Sequence, residues 1–128
     1  MMLPVITLDI QERTPTQNVW QNVHRMQRGR VKRQWALLVF AAGRPPRQPL
    51  RRCRITIERT STQEPDRDNL YGGLKPLMDV LQPASRRHPY GLGFISDDGP
   101  KCVIDLVAKH VSGRRRRTVV TIEALPDD

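Results

Sequence analysis

Aromatic side chains are few in this chain: two Trp, two Tyr and two Phe among 128 residues, with apolar residues at 38% overall. A core built from so little is modest, and a subunit interface is expected to supply some of the burial. Cysteine is equally scarce. Cys53 and Cys102 stand far apart in apolar-alternating segments, with neither C-x-x-C nor Cys/His spacing. Zinc is therefore not indicated, and two buried free thiols are expected. No apolar run approaches the ~20 residues that span a bilayer, and no signal-peptide pattern opens the chain. A cytoplasmic protein without membrane association is expected. Acid is the last deficit: 13 Asp and Glu face 22 Lys and Arg, a formal net charge of +9.

Such an excess of positive charge points to nucleic acid, a membrane surface or another acidic partner. A membrane-surface helix needs a strong apolar face opposite its basic one, whereas the most basic stretches here are irregular or broken by Gly and Pro. Nucleic acid is favoured. Arg25, Arg28, Arg30, Lys32 and Arg33 form the densest basic stretch, ahead of an apolar helical run, and are the first candidates for phosphate contact. Arg51, Arg52, Arg86 and Arg87 are further ones. The Arg114–Arg117 run reads equally well as a solvated hairpin tip.

Periodicity divides the chain into alternating strands and helices. Residues 3–10 are rich in β-branched side chains and read as a strand; Thr14 to Asn18 reads as a turn or loop. Trp35, Leu38, Val39 and Ala42 have helical spacing, stopped at Gly43 and Pro45-Pro46. Arg51 to Arg59 alternates, with Cys53, Ile55 and Ile57 pointing one way and the charged residues the other. A second helix is expected from Asp68 to about Leu81, capped by Asp68 or Asn69 and made irregular by Gly72, Gly73 and Pro76; Pro76 also suits N1 of a helix starting near Lys75. A loop is expected over 82–91, then a short strand or turn over Leu92 to Ile95. Cys102 to Val111 and Thr118 to Leu125 alternate, with spacing that suits an antiparallel hairpin. The order β-α-β-α-β-β predicts a single α/β (α+β) domain over 1–128: a mixed sheet of four to five strands with two main helices.

Against the basic background, five aspartates crowd into one third of the chain: Asp66, Asp68, Asp79, Asp97 and Asp98. Packed together without a cation, carboxylates repel one another and take up protons; a hard divalent metal held by oxygen ligands resolves the conflict. Asp66 and Asp68 lie at a strand-to-helix junction. Asp97 and Asp98 come after a short apolar segment and are expected to reach the same end of the sheet. An EF-hand fails on spacing, because counting from Asp66 its Gly and Glu positions hold Tyr71 and Leu77. Each acid also has a plain structural reading: Asp68 as a helix cap, Asp79 as the i, i+4 partner of Lys75, and Asp97-Asp98-Gly99-Pro100 as a turn. The histidines His24, His88 and His110 are scattered and read as loop or surface residues.

The segment Asp66-Arg67-Asp68-Asn69-Leu70, with Lys75, Asp79 and Asp97-Asp98 after it, resembles the motif of the RusA-type Holliday junction resolvases, a family frequent in phages and prophages. Pro15 to Asn18, His24, the basic residues after it and Trp35 also resemble that family. The resemblance implies a Mg²⁺-dependent homodimer (Mn²⁺ as a substitute) that cuts four-way DNA junctions symmetrically in recombination and repair. It makes Asp66, Asp68 and Asp98 the catalytic metal ligands, with Asp97 as a further ligand or an orienter. Lys75 becomes the motif lysine, and Asn18 and Asn69 the motif asparagines on the DNA side. The lysine departs from the pattern, standing seven residues after the second aspartate rather than four. On an unbroken helix +4 and +7 share a face, but Gly72, Gly73 and Pro76 interrupt this one. Two other readings stay open: a DNA-junction-binding accessory protein that no longer cuts, and a metal nuclease directed at flaps or forks.

Overall fold

The computed structural model describes residues 3–127, and its elements run in the expected order. Strand β1 (Val5–Ile10) is followed by helices α1 (Gln17–Gln21) and α2 (Arg25–Ala42), then by β2 (Cys53–Ser61). Helices α3 (Arg67–Gly72) and α4 (Lys75–Leu81) precede β3 (Val103–Ser112) and β4 (Arg117–Ala124). The four strands form one mixed sheet in the order β1-β4-β2-β3.

β2 is the strand around which the sheet is organised. It pairs in parallel with β3, from Cys53 opposite Val103 to Ser61 opposite Ser112. On its other side it pairs antiparallel with β4, from Cys53 opposite Ala124 to Thr60 opposite Arg117. The expected β3–β4 hairpin is therefore not formed. Alternation identifies a strand but not its neighbour, and here β2 lies between the two. The short connection after Ser112 steps over the end of β2, where the Gly113 amide donates to Ser61 O at 3.2 Å. A Cβ on Gly113 would stand 2.9 Å from the Thr60 methyl, so glycine is what lets the crossing pass this close.

One face of the sheet carries the core. Cys53, Ile55 and Ile57 of β2, Val120 and Ile122 of β4 and Leu8 and Ile10 of β1 are buried there with Trp35 and Val39 of α2 and Leu77, Val80 and Leu81 of α4. Each fully buried aliphatic side chain in this cluster contributes roughly 1.5–3 kcal/mol. Period-two alternation also carries Arg59 and Ser61 onto this inner face, and both are buried. That corrects the expectation that every charged residue of the strand points outward.

The helices differ from expectation in two places. The segment after Pro15 is not a loop: Thr16 caps α1, its side chain accepting from the Val19 amide. The single helix expected over 68–81 is two helices, with Asp66 rather than Asp68 or Asn69 as the cap of the first. Pro76 sits in the first turn of the second, as its missing N–H allows. The break has a packing reason, since a Cβ on Gly73 would run into the Pro15 carbonyl. The α3–α4 joint thus presses directly on the segment that leads into α1. Residues Leu92 to Ile95 add only an isolated parallel bridge between Leu50 and Ile95. No helix of the described residues is long and apolar enough to cross a membrane.

Candidate functional site

The chain leaves β2 at Ser61 and enters α3 at Arg67, which places Asp66 and Asp68 at the C-terminal end of the strand. Asp66 Oδ1 accepts from the Asn69 amide at 2.8 Å, satisfying one of the free amides of the first helical turn. Asp68 lies in that same turn and is exposed. Asn69 Oδ1 accepts from the Asn18 amide at 2.9 Å, so the two asparagines tie α1 to α3. Together these residues line an open pocket of about 380 Å³ formed by Gln17, Asn18, Asp66, Arg67, Asp68 and Asn69. Gln17 is absent from the sequence expectation because α1 itself was; the Thr-x-x-Val start with an N-cap threonine is the signal that marks it.

Among the described residues neither Asp66 nor Asp68 has a Lys, Arg or His nitrogen within 4.0 Å. In a chain of net charge +9 this is notable. Among the described residues Glu64, Asp97 and Asp98 are likewise without an ion pair, whereas Asp9, Glu12 and Asp79 are engaged by cations. Asp66 and Asp68 differ in standing two residues apart on the wall of one pocket.

Asp97 and Asp98 do not join them within one chain. They lie in the turn that leads into β3, whose first residue, Val103, is paired with Cys53 at the opposite end of β2. Eight residue steps of about 3.3 Å along β2, roughly 26 Å, separate the two ends. Asp97 Oδ2 accepts from the Gly99 amide at 3.2 Å, closing that turn on itself. Among the described residues no three His, Cys, Asp or Glu side chains converge as a metal site. The expectation of a shared sheet end is thus corrected. In a parallel β2–β3 pair, the exit of β2 and the entry to β3 necessarily lie at opposite ends of the sheet.

Lys75 is likewise drawn elsewhere. Its Nζ lies 3.0 Å from Asp79 Oδ1, and Lys32 Nζ lies 2.8 Å from Asp79 Oδ2. Asp79 is buried on α4, with His88 Nδ1 3.9 Å from Oδ1. Burial pushes its carboxyl up, but the hydrogen bonds and charges of Lys32 and Lys75 outweigh burial and hold it below its ordinary value. The i, i+4 pairing of Lys75 with Asp79 is as expected; the second lysine, from α2, is the addition.

The remaining basic candidates separate by what they touch. Arg28 lies over the Trp20 ring at 5.2 Å and donates to Val23 O and Gln21 O at 3.3 Å each, so it fastens the α1–α2 joint. Lys32 is held by Asp79. Arg25, Arg30 and Arg33 stay exposed on α2. At the start of that helix His24 Nδ1 accepts from the Met26 amide at 3.1 Å, making it a cap. His88 is more enclosed than a surface residue, its side chain 15% exposed. The two cysteines are free and buried, and burial, with Cys102 alongside, pushes the Cys53 thiol up to about 12.

No protein-family model matches this chain, and a search of curated proteins finds no relative.

Proposed function

We propose that this protein is a cytoplasmic, metal-dependent endonuclease acting on branched DNA, with Asp66 and Asp68 as its metal-binding pair. The observation that carries the reading is that these two carboxylates, free of ion pairs among the described residues, line one open pocket of a strongly basic chain. The donor set fits Mg²⁺ or Mn²⁺: both groups are hard oxygen ligands, and Mg²⁺ typically takes only one or two carboxylates, completing its shell with water and substrate phosphate. Such an ion, when bound, polarises a phosphodiester and lowers the pKa of water beside it. The chain's own part is positional. Asp66 is fixed by its cap bond to Asn69, Asn69 is fixed against Asn18, and the pocket they line is open to solvent. Arg25, Arg30 and Arg33 supply phosphate contacts on α2.

Holliday junctions are the substrate favoured by the resemblance to RusA-type resolvases, and a homodimer goes with it, since a two-fold symmetric substrate suits a two-fold symmetric enzyme. In such a dimer Asp98 reaches the pocket only as Asp98 of the partner subunit, because its own chain holds it at the far end of β2. The direction of Lys75 favours a second reading. With its ammonium on Asp79 rather than in the pocket, the protein would bind junctions as an accessory factor without cutting them.

Incubation of synthetic four-way junctions, flaps and duplexes with Mg²⁺, Mn²⁺ or EDTA decides between them. Paired symmetrical nicks in the junction support the resolvase, cuts confined to flaps or forks redirect the substrate, and tight binding without cuts supports the accessory factor.

A further inference from the structure

Arg59 is the one arginine carried onto the inner face of the sheet, 6% exposed, at the point where the apolar part of β2 ends. Its Nε donates to Thr14 O at 2.6 Å. Arginine brings five N–H donors in a planar fork, and among the described residues no carboxylate lies within 4.0 Å of this one. A buried charge of this kind is costly unless something pairs with it. Burial first, and the like charge of Arg13 second, depress the tendency of Arg59 to hold its proton.

Arg59 lines a cleft of about 480 Å³ whose walls also include Arg13, Trp20, Trp35 and Arg116. Glu12 is the one carboxylate on that wall, and it is already engaged, accepting from Arg116 Nη1 at 2.9 Å and from the Arg13 amide at 3.0 Å. Thr14, fully buried, also lines the cleft, and its Oγ1 has no hydrogen-bond partner. Arg13, Arg59 and Asn69 together line a second groove, whose walls also include Glu64. Asn69 is a wall of the Asp66–Asp68 pocket as well. Pocket and groove thus share Asn69 as a wall, and groove and cleft share Arg13, Thr16 and Arg59.

We propose that Arg59 and Arg13 form a phosphate-binding subsite for a nucleic-acid strand that passes from the Asp66–Asp68 pocket into the cleft walled by Trp20 and Trp35. The inference rests on the reading of that pocket as a nucleic-acid site and adds to it where the neighbouring phosphate is held. A phosphodiester supplies what Glu12, held by Arg116, does not: a negative charge beside Arg59, with acceptor oxygens suited to a guanidinium fork.

The chain's two tryptophans both line the cleft, largely buried behind its surface, and a strand seated there is expected to change their surroundings and hence their emission. The experiment titrates the full-length protein in EDTA with a ten-residue oligothymidylate, and separately with inorganic pyrophosphate, monitoring tryptophan emission. Binding of the oligonucleotide is expected to change the emission. Arg13→Ala, at a part-exposed site outside the core, is expected to weaken binding about tenfold and to lower the log–log salt slope by about 0.7. Arg59→Lys keeps the charge but loses the fork, and is expected to weaken binding by a similar factor while circular dichroism confirms the fold. Oligonucleotide binding with unaltered emission, or Arg13→Ala with unchanged affinity and slope, overturns the subsite. Pyrophosphate binding as tightly as the oligonucleotide overturns its assignment to a strand. Because no cleavage is involved, a protein that binds this way but never cuts retains the subsite and loses only the nuclease reading. One that cuts with silent tryptophans does the reverse.

Discussion

Asp79 Oδ2 and Lys32 Nζ lie 2.8 Å apart and join α4 to α2 through a carboxylate that is only 2% exposed. Lys75 closes the other oxygen from α4 itself, so one buried acid gathers two ammoniums. Asp79→Asn keeps the shape but removes the charge, and is expected to cost about 2 kcal/mol of stability; both lysines remain partly solvated, which keeps the loss below that of a fully buried pair. Urea unfolding of the variant at neutral pH measures it.

The same cluster sets an acid limit. The folded carboxyl titrates below the ordinary value of 3.8 because of the two lysines, burial opposing them. Its stabilisation is therefore fully present above that value and is lost as pH falls through the lowered one. Unfolding midpoints measured from pH 5 down to pH 2 should fall more steeply for the parent protein than for Asp79→Asn; parallel curves would contradict the linkage.

At the pocket, Asp68→Asn is expected to abolish junction cleavage, a loss of at least about a hundredfold, while junction affinity holds or rises as repulsion of the phosphate is relieved. Cleavage assays beside gel-shift titrations of the same preparation separate the two effects. Normal cutting by the variant would remove Asp68 from the chemistry.

The far placement of Asp98 leads to a mixing experiment. Asp68→Asn and Asp98→Asn preparations are each expected to be inactive. Co-refolded, they form mixed dimers in which one pocket has Asp68 from one chain and Asp98 from the other. Single nicks, without paired cuts, should return in the mixture. Failure of any nicking to return, with mixed dimers demonstrated by mass, rules out sharing of the site between subunits.

On α2, Arg30→Ala with Arg33→Ala is expected to reduce the log–log salt slope of duplex binding by about 1.8, two phosphates at about 0.9 each. Arg28→Ala should instead loosen the α1–α2 joint and lower the melting temperature, given its place over Trp20 and its bonds to Val23 and Gln21. An unchanged slope in the double variant clears Arg30 and Arg33 of phosphate contact.

Cys53 supplies a chemical check on the packing. With its thiol pushed up to about 12 by burial and by Cys102, only about one molecule in ten thousand carries the thiolate at pH 8. Alkylation by iodoacetamide at that pH should label Cys53 only after denaturation, as peptide mapping by mass spectrometry would show.

Element types were readable along most of the chain because its apolar spacings are regular: Cys53, Ile55 and Ile57 announce a strand, and Trp35, Leu38, Val39 and Ala42 a helix face. Partners were not. Nothing in the alternation of β3 and β4 records that β2 comes between them, and that single topological fact moves Asp97 and Asp98 away from Asp66 and Asp68. Short α1 escaped notice because five residues cannot display a helical period. Arg59 was readable in principle: it has the same parity as Ile55 and Ile57, but a charge at the end of an apolar series is easily assigned to the solvent side.

The placement of β2 also bears on how the chain comes together during synthesis. Both of its neighbours, β3 and β4, are contributed by residues 103–124, so a ribosome that has made the first hundred residues holds a strand of nine with two open edges. Cys53, Ile55 and Ile57 would be presented on it with no sheet to enclose them. Open apolar edges of this kind recruit other chains. Slow translation or truncation before β3 should therefore send this protein into inclusion bodies, whereas substitutions in the exposed Arg114–Arg116 connection should not.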